Sequence, residues 1–253
     1  MDSLKLGKYE FKSRFILGSG KYSLKLIEAA VNGGEAEILT LALRRANTGK
    51  VENILDYIPK NVTLLPNTSG ARTAEEALRI ARLARELCKS ELIKIEVIRD
   101  SKYLLPDNYE TVKAVELLVK DGFTALPYMS ADLYAARAMR DAGAAAIMPL
   151  AAPIGTNKGL CAKEFIQILL NEIDLPIIVD AGIGTPAQAC EAMQMGVSAC
   201  MINTAIAEAY DVALMAKAFN LAIKAGREAF LAGLAPTNEL ARASSPLTGF
   251  LDE

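Results

Sequence analysis

Apolar positions in this chain come in short runs separated by amphipathic stretches, and the two alternate along its whole length. Runs of four to eight residues rich in β-branched side chains read as strands buried on both faces. They fall at residues 15–18, 37–42, 62–65, 91–98, 123–128, 144–150, 176–180 and 199–206. Between them, apolar residues recur with helical spacing at 24–32, 51–58, 73–89, 108–121, 132–142, 162–172, 185 onward and 211–225. Two of these helices open on a capping box, Thr73-Ala-Glu-Glu76 and Thr185-Pro-Ala-Gln188, the second with proline at the first helical position. No Gly/Ser-rich linker or compositional shift divides the 253 residues. Eight β-α units in a chain of this length predict one closed (β/α)₈ barrel spanning 1–253, with a tail from about Gly226 that has no strand partner.

The fourth strand, Glu91-Leu-Ile-Lys-Ile-Glu-Val-Ile98, breaks its apolar run with two charges. Side chains alternate across a strand, so Lys94 and Glu96 share one face while Ile93, Ile95 and Val97 share the other. Taking an ammonium and a carboxylate out of water costs several kcal/mol per ion, so a fold keeps such a pair for structure or for chemistry. Both readings stand at this level. One is a lysine–carboxylate network filling the barrel interior. The other is a reactive amine at the mouth, where barrel enzymes carry their sites.

Composition narrows the chemistry. Histidine is absent, which removes a Ser-His-Asp triad, a Cys-His pair and His-ligated zinc. Cys88, Cys161, Cys190 and Cys200 are widely spaced with no C-x-x-C, and are expected as buried small hydrophobes in a reducing compartment. A net charge of −2 with scattered Lys and Arg argues against a nucleic-acid surface. No apolar run reaches membrane-spanning length, and the expectation is a soluble cytoplasmic protein with no membrane partner.

A lysine can attack a ketone to form an imine if its amine is partly neutral, and imine chemistry needs a nearby acid and base. Glu96 and Asp180, which ends Pro176-Ile-Ile-Val-Asp180, are the strand-end carboxylates placed for that work. After the seventh strand, Ala181-Gly-Ile-Gly184 feeds the capped helix at Thr185, a glycine turn at a helix N-terminus that suits a phosphate. Pro153-Ile-Gly155-Thr156 could add backbone donors, and Asn203 and Thr204 are expected to end the eighth strand. Gly18-Ser-Gly-Lys21 is not a P-loop: Phe15 and Tyr22 stand where that motif needs glycine and Ser/Thr. The basic run 79–85 reads as a solvated helix face.

Together these segments resemble bacterial thiazole synthase, the enzyme that builds the thiazole ring of thiamin. The likeness runs through Ser13-Arg-Phe15 with Gly18-Ser-Gly-Lys-Tyr22, Ala36-Glu-Ile38 to Arg44-Arg-Ala-Asn47, and Leu65-Pro-Asn-Thr68 with Thr73-Ala-Glu-Glu-Ala77. It continues through the Lys94 strand with Leu104-Leu-Pro-Asp107, Ile147-Met-Pro-Leu150 with Ala152-Pro-Ile-Gly155, Val179-Asp-Ala-Gly-Ile-Gly184, Asn203-Thr-Ala-Ile206 and Ala243-Ser-Ser-Pro246. The resemblance implies a Lys94 imine with 1-deoxy-D-xylulose 5-phosphate, Glu96 and Asp180 as the acid/base pair, and sugar-phosphate contacts from Gly155, Ala181, Gly182, Asn203 and Thr204. It further implies sulfur delivered as a thiocarboxylate on a small sulfur-carrier protein, dehydroglycine as the source of carbon and nitrogen, a homotetramer, and neither a metal nor a separate cofactor. Arg99, Ala151 and Ser130-Ala-Asp132 depart from the family's usual glycine, glycine and Asp-Pro. Two other readings share Lys94: a lysine-dependent aldolase of sugar phosphates, and a non-catalytic barrel that binds a phosphorylated ligand.

Overall fold

In a computed structural model, the described residues are 2–18, 23–42 and 58–242. Eight parallel strands follow one another in chain order. They are β3 (Phe15–Leu17), β4 (Ile38–Ala42), β5 (Thr63–Asn67), β6 (Leu92–Ile95), β7 (Thr124–Met129), β8 (Met148–Pro149), β9 (Ile178–Val179) and β10 (Ala199–Ile202). Ladders join β8 to β7, β6, β5, β4, β3, β10 and β9 in that order. The remaining gap between β8 and β9 is bridged at Ile147–Ile177 and Leu150–Asp180. There Ile178 N donates to Ile147 O at 2.9 Å and Asp180 N to Pro149 O at 3.0 Å. The sheet is therefore a (β/α)₈ barrel, as the strand count predicts.

Alternation along each strand divides the apolar residues between two cores. Inward-facing Ile16, Ile38, Leu65, Leu92, Leu126 and Ile178 fill the barrel. Outward-facing residues, among them Ile93, Ile95 and Val97, pack under the helices. Ahead of the barrel lies an antiparallel hairpin that the periodicity reading leaves out, β1 (Leu4–Leu6) and β2 (Tyr9–Phe11). Its Leu4, Leu6 and Phe11 join the inner core. The signal is present in Leu4-Lys-Leu6 and Tyr9-Glu-Phe11, two alternating triplets around Gly7.

The helices begin at the C-terminal mouth of the barrel, most of them on a side-chain cap. Ser23 caps α1 (Leu24–Glu28), which runs on as a π-helical turn (Ala29–Gly33). Thr73 caps α2 (Ala74–Cys88), Asp107 caps α3 (Asn108–Lys120) and Asp132 caps α4 (Leu133–Asp141). Then come α5 (Lys163–Glu172), α6 (Pro186–Gln194) capped by Thr185, the short α7 (Thr204–Ala207), and α8 (Val212–Ala232) capped by Asp211. At α2 the expected box is offset: Thr73 Oγ1 accepts from Glu76 N, while the Glu76 carboxylate reaches Arg72 N instead of the cap's own amide. The basic run on α2 is tied down more than a solvated face would be, since Arg82 and Arg85 both reach Asp121 (2.7 and 3.1 Å).

Three expectations change. The eighth strand stops at Ile202, because Asn203 turns the chain into α7. The last helix does not end at 225 but runs to Ala232. Gly226 is no tail residue: it sits where α8 crosses α6, and a Cβ there would come within 2.4 Å of Cys190 O and 2.7 Å of Met193 Cβ. Close helix approach, rather than chain termination, accounts for that glycine. Of the cysteines, Cys200 alone is buried and Cys161 is exposed. The expected helix at 51–58, the segments 19–22 and 44–47, and Ser244-Ser-Pro246 fall essentially outside the described residues.

Candidate active site

A cavity of about 230 Å³ opens among the C-terminal strand ends. Lys94 of β6 forms part of its floor, and Asp180, one residue past β9, stands across from it. Lys94 Nζ lies 2.5 Å from Asp180 Oδ2 and 3.8 Å from Glu96 Oε2. It also approaches Met201 Sδ of β10 at 3.6 Å and the ring centroid of Tyr128 of β7 at 5.0 Å. Lys94 and Asp180 are each 5% exposed, so the pair is buried but borders the cavity. The structure thus brings together all three residues that the sequence offers for acid/base and amine chemistry.

Burial alone pushes the Lys94 amine toward neutrality, but the charges of Asp180 and then Glu96 outweigh it and hold the amine above its ordinary value. The resting nitrogen is an ammonium. It can act as a nucleophile only after passing a proton to one of the two carboxylates that touch it.

The residues expected around a phosphate also border this cavity: Gly155, Ala181, Gly182, Asn203 and Thr204. Ala181 adopts left-handed backbone (φ 58°), and so do Leu104 (φ 55°) and Asn157 (φ 51°) on the same rim. Such conformations cost a non-glycine residue about 1–3 kcal/mol and gather where the surroundings enforce them. Gly182 (φ 84°) could be nothing else, since a Cβ there would come within 2.4 Å of Ala152 N. The helix end beside this turn is less open than the sequence implies. Gly184 N and Thr185 N both donate to Gln188 Oε1, at 2.8 and 3.0 Å, which completes the α6 capping box internally.

The opposite wall contains polar groups that the sequence reading does not single out: Thr40 of β4, and Asn67 and Ser69 at the end of β5. Asn67 pairs with Lys94 in the β5–β6 ladder. A polar residue ending an apolar strand, as in Leu64-Leu-Pro-Asn67, was the available signal. The departures in the loops are accommodated locally. Arg99 pairs with Asp107 at 2.5 Å. Buried Ala151 donates its amide to Asp180 O at 3.1 Å. Ser130 is held by Asn108 through N→Oδ1 and Nδ2→O contacts of 2.9 and 3.0 Å.

Comparison with known proteins identifies the family. The family profile described as thiazole biosynthesis protein ThiG matches residues 5–246. The chain belongs to the thiazole synthase family. It is 81% identical over 250 residues to the thiazole synthase of Campylobacter jejuni (strain RM1221), covering 99% of this chain and 96% of that one. With the thiazole synthase of Fusobacterium nucleatum it shares 70% identity over 252 residues, covering 99% and 98%. Among solved structures, a chain of the Amycolatopsis orientalis BexX/CysO complex superposes with a TM-score of 0.83 at 33% identity, covering 94% and 98%. A 3-hexulose-6-phosphate synthase, at 16% identity and a TM-score of 0.60, shares the fold alone. This thiazole synthase family member is accordingly an enzyme of thiamin biosynthesis. No helix among its described residues is long and apolar enough to cross a membrane.

Proposed function

We propose that the chain forms its thiazole product through a covalent imine between Lys94 and the ketone of 1-deoxy-D-xylulose 5-phosphate. The observation that carries this reading is an amine in contact with two carboxylates at the wall of a cavity in the strand-end mouth. An ion pair serving the core alone would need no such access.

In this reading the sugar phosphate is held through Gly155, Ala181, Gly182, Asn203 and Thr204. The Lys94 ammonium gives its proton to Asp180, its nearest carboxylate. The freed amine adds to the ketone carbon, and the resulting carbinolamine loses water to leave the iminium. Glu96 and Asp180 then remove a proton at the neighbouring carbon and return one, so that the imine isomerises and the carbonyl moves along the chain. The terminal thiocarboxylate of a sulfur-carrier protein attacks that carbonyl through sulfur. The carrier's acyl group passes from sulfur to the resulting oxygen and leaves as the carrier's carboxylate. Condensation with dehydroglycine then closes the ring with loss of water and release of the Lys94 amine. This makes the enzyme a sulfur-transferring transferase that needs no metal. The carrier assignment is supported by similarity to a chain crystallised as the BexX/CysO complex. A cytoplasmic homotetramer is the assembly the family resemblance supports.

Borohydride reduction in the presence of the sugar phosphate tests the reading directly. It should add the mass of the reduced sugar phosphate to the peptide that contains Lys94. No adduct would leave a non-catalytic barrel, while an aldehyde released without carrier protein would make the enzyme an aldolase.

A further inference from the structure

The Lys94 amine has two kinds of neighbour. Asp180 and Glu96 are charged and polar, whereas Met201 and Tyr128 are polarisable and apolar. Tyr128 is 0% exposed, and its hydroxyl has no hydrogen-bond partner among the described residues. A buried hydroxyl left that way costs about 1–3 kcal/mol, so its polar end does not account for its place in the fold. The ring face does. At 5.0 Å the nitrogen lies within the roughly 6 Å over which a ring quadrupole attracts a cation. Other lysine–tyrosine contacts of this kind, such as Lys102 with Tyr103 and Lys113 with Tyr109, lie on the surface, where water weakens them.

We propose that Tyr128 is a positioning residue for the reacting lysine. Its ring face stabilises the cationic forms of Lys94 Nζ, the ammonium before substrate and the protonated imine after it. The Met201 thioether, a soft acceptor on β10, flanks the same nitrogen. The groups that face the nitrogen are thus Glu96 just beyond β6, Asp180 beyond β9, Met201 from β10 and Tyr128 from β7. Two carboxylates alone would grip the ammonium and offer less to an iminium whose nitrogen has given up two of its hydrogens. A ring face attracts either cation without needing a hydrogen to be donated to it.

The proposal rests on Lys94 being the reacting amine, so its test is arranged to be read without substrate as well. Tyr128→Phe is compared with Tyr128 replaced by mono-, tri- and pentafluorophenylalanine, which keep the ring's shape while weakening and then inverting its quadrupole. Lys94 is titrated in each full-length protein by competitive labelling with acetic anhydride across alkaline pH. The midpoint should stay close to that of the unmodified protein in Tyr128→Phe. It should then fall stepwise with fluorination, by about one pH unit, a tenfold loss of proton affinity, across the series. The pH at which borohydride trapping of the sugar phosphate reaches half its maximal rate should move with it. A midpoint indifferent to fluorination would reduce Tyr128 to a packing residue and overturn the proposal. So would a midpoint that has already moved fully in Tyr128→Phe, which would assign the effect to the hydroxyl. If labelling shifts as expected but no sugar adduct forms, the ring's effect stands and it is the imine reading that fails.

Discussion

The barrel buries a cation near each of its two ends, and the contrast between them separates a charge that is fixed from one that can change state. At the closed end, Arg14 is 6% exposed and its two terminal guanidinium nitrogens are taken up by fixed groups. Nη1 donates to Ser198 O at 2.6 Å, and Nη2 donates to Ser3 O at 3.1 Å and pairs with Asp2 at 2.9 Å. Asp2 is in turn gripped by Arg227, whose Nε donates to Oδ1 at 3.1 Å. Burial draws the Arg14 guanidinium below its usual range, yet an arginine still cannot give up its proton under ordinary conditions. At the open end, Lys94 is equally buried, but its partners are two carboxylates, a thioether and a ring face, beside a cavity. A single titratable nitrogen among adjustable partners can change state. A forked cation bound to backbone carbonyls cannot.

The sharpest way to break this comparison is to remove each cation. Lys94→Ala should abolish the borohydride adduct and lower turnover on the order of 10⁶-fold, as loss of a covalent nucleophile does elsewhere, while the barrel still folds. Mass spectrometry of the trapped protein, with circular dichroism as the folding check, reads both. Arg14→Ala should do the reverse. Breaking a buried pair by deleting one partner costs about 3–5 kcal/mol, which lowers the melting temperature by roughly 10 °C in a chain of this size. The fraction that remains folded should still form the adduct. A variant that kept its stability but lost the adduct would erase the distinction.

Asp180→Ala should fall between these. It removes the carboxylate nearest the amine, so adduct still forms, and forms at lower pH because the largest charge raising the lysine is gone. Proton shuttling is impaired, and turnover should drop by about 10²- to 10⁴-fold. Full turnover by this variant would strip Asp180 of its role. The smallest effect belongs to the clasp at the closed end. Hydrogen bonding from Arg227 holds the Asp2 carboxyl down at about 2, from an ordinary 3.8. Its folded value lies below its unfolded one, so it stabilises the fold above about pH 4, and that contribution disappears as pH falls toward 2. Asp2 is 42% exposed on its side chain, so solvent screens the effect and only a shallow slope is expected. Asp2→Asn should flatten the acid limb of the stability curve in urea titrations at successive pH values, with little change at neutral pH. The Lys94 linkage runs the other way. Its folded value is raised, so its contribution persists through neutrality and is lost only above about 10.5.

Much of this site was legible before any coordinates. Period-two alternation puts Lys94 and Glu96 on one face and Ile93 and Ile95 on the other, and the structure sends the first pair inward and the second under the helices. Asp180 was visible as a carboxylate ending an apolar run. The caps at Thr73 and Thr185 are local, because a side-chain oxygen three residues from the amide it serves needs no tertiary contact. Tyr128 and Met201 were not legible: an aromatic and a thioether inside strands read as ordinary core, and only barrel closure brings β7 and β10 against the β6 lysine. Gly226 misled for a related reason. The same residue type ends helices and lets helices approach, and its neighbours across α6 lie more than thirty positions away in sequence.

The sequence by itself determined the strand faces, most helix starts, the barrel and the identity of the three ionisable groups, because those depend on periodicity and on neighbours a few residues apart. Tertiary structure decided the protonation of the lysine, the ring placed against it and the reach of the last helix. Each of these depends on distances between chain segments that only the closed sheet fixes, and electrostatic and packing energies change steeply with distance.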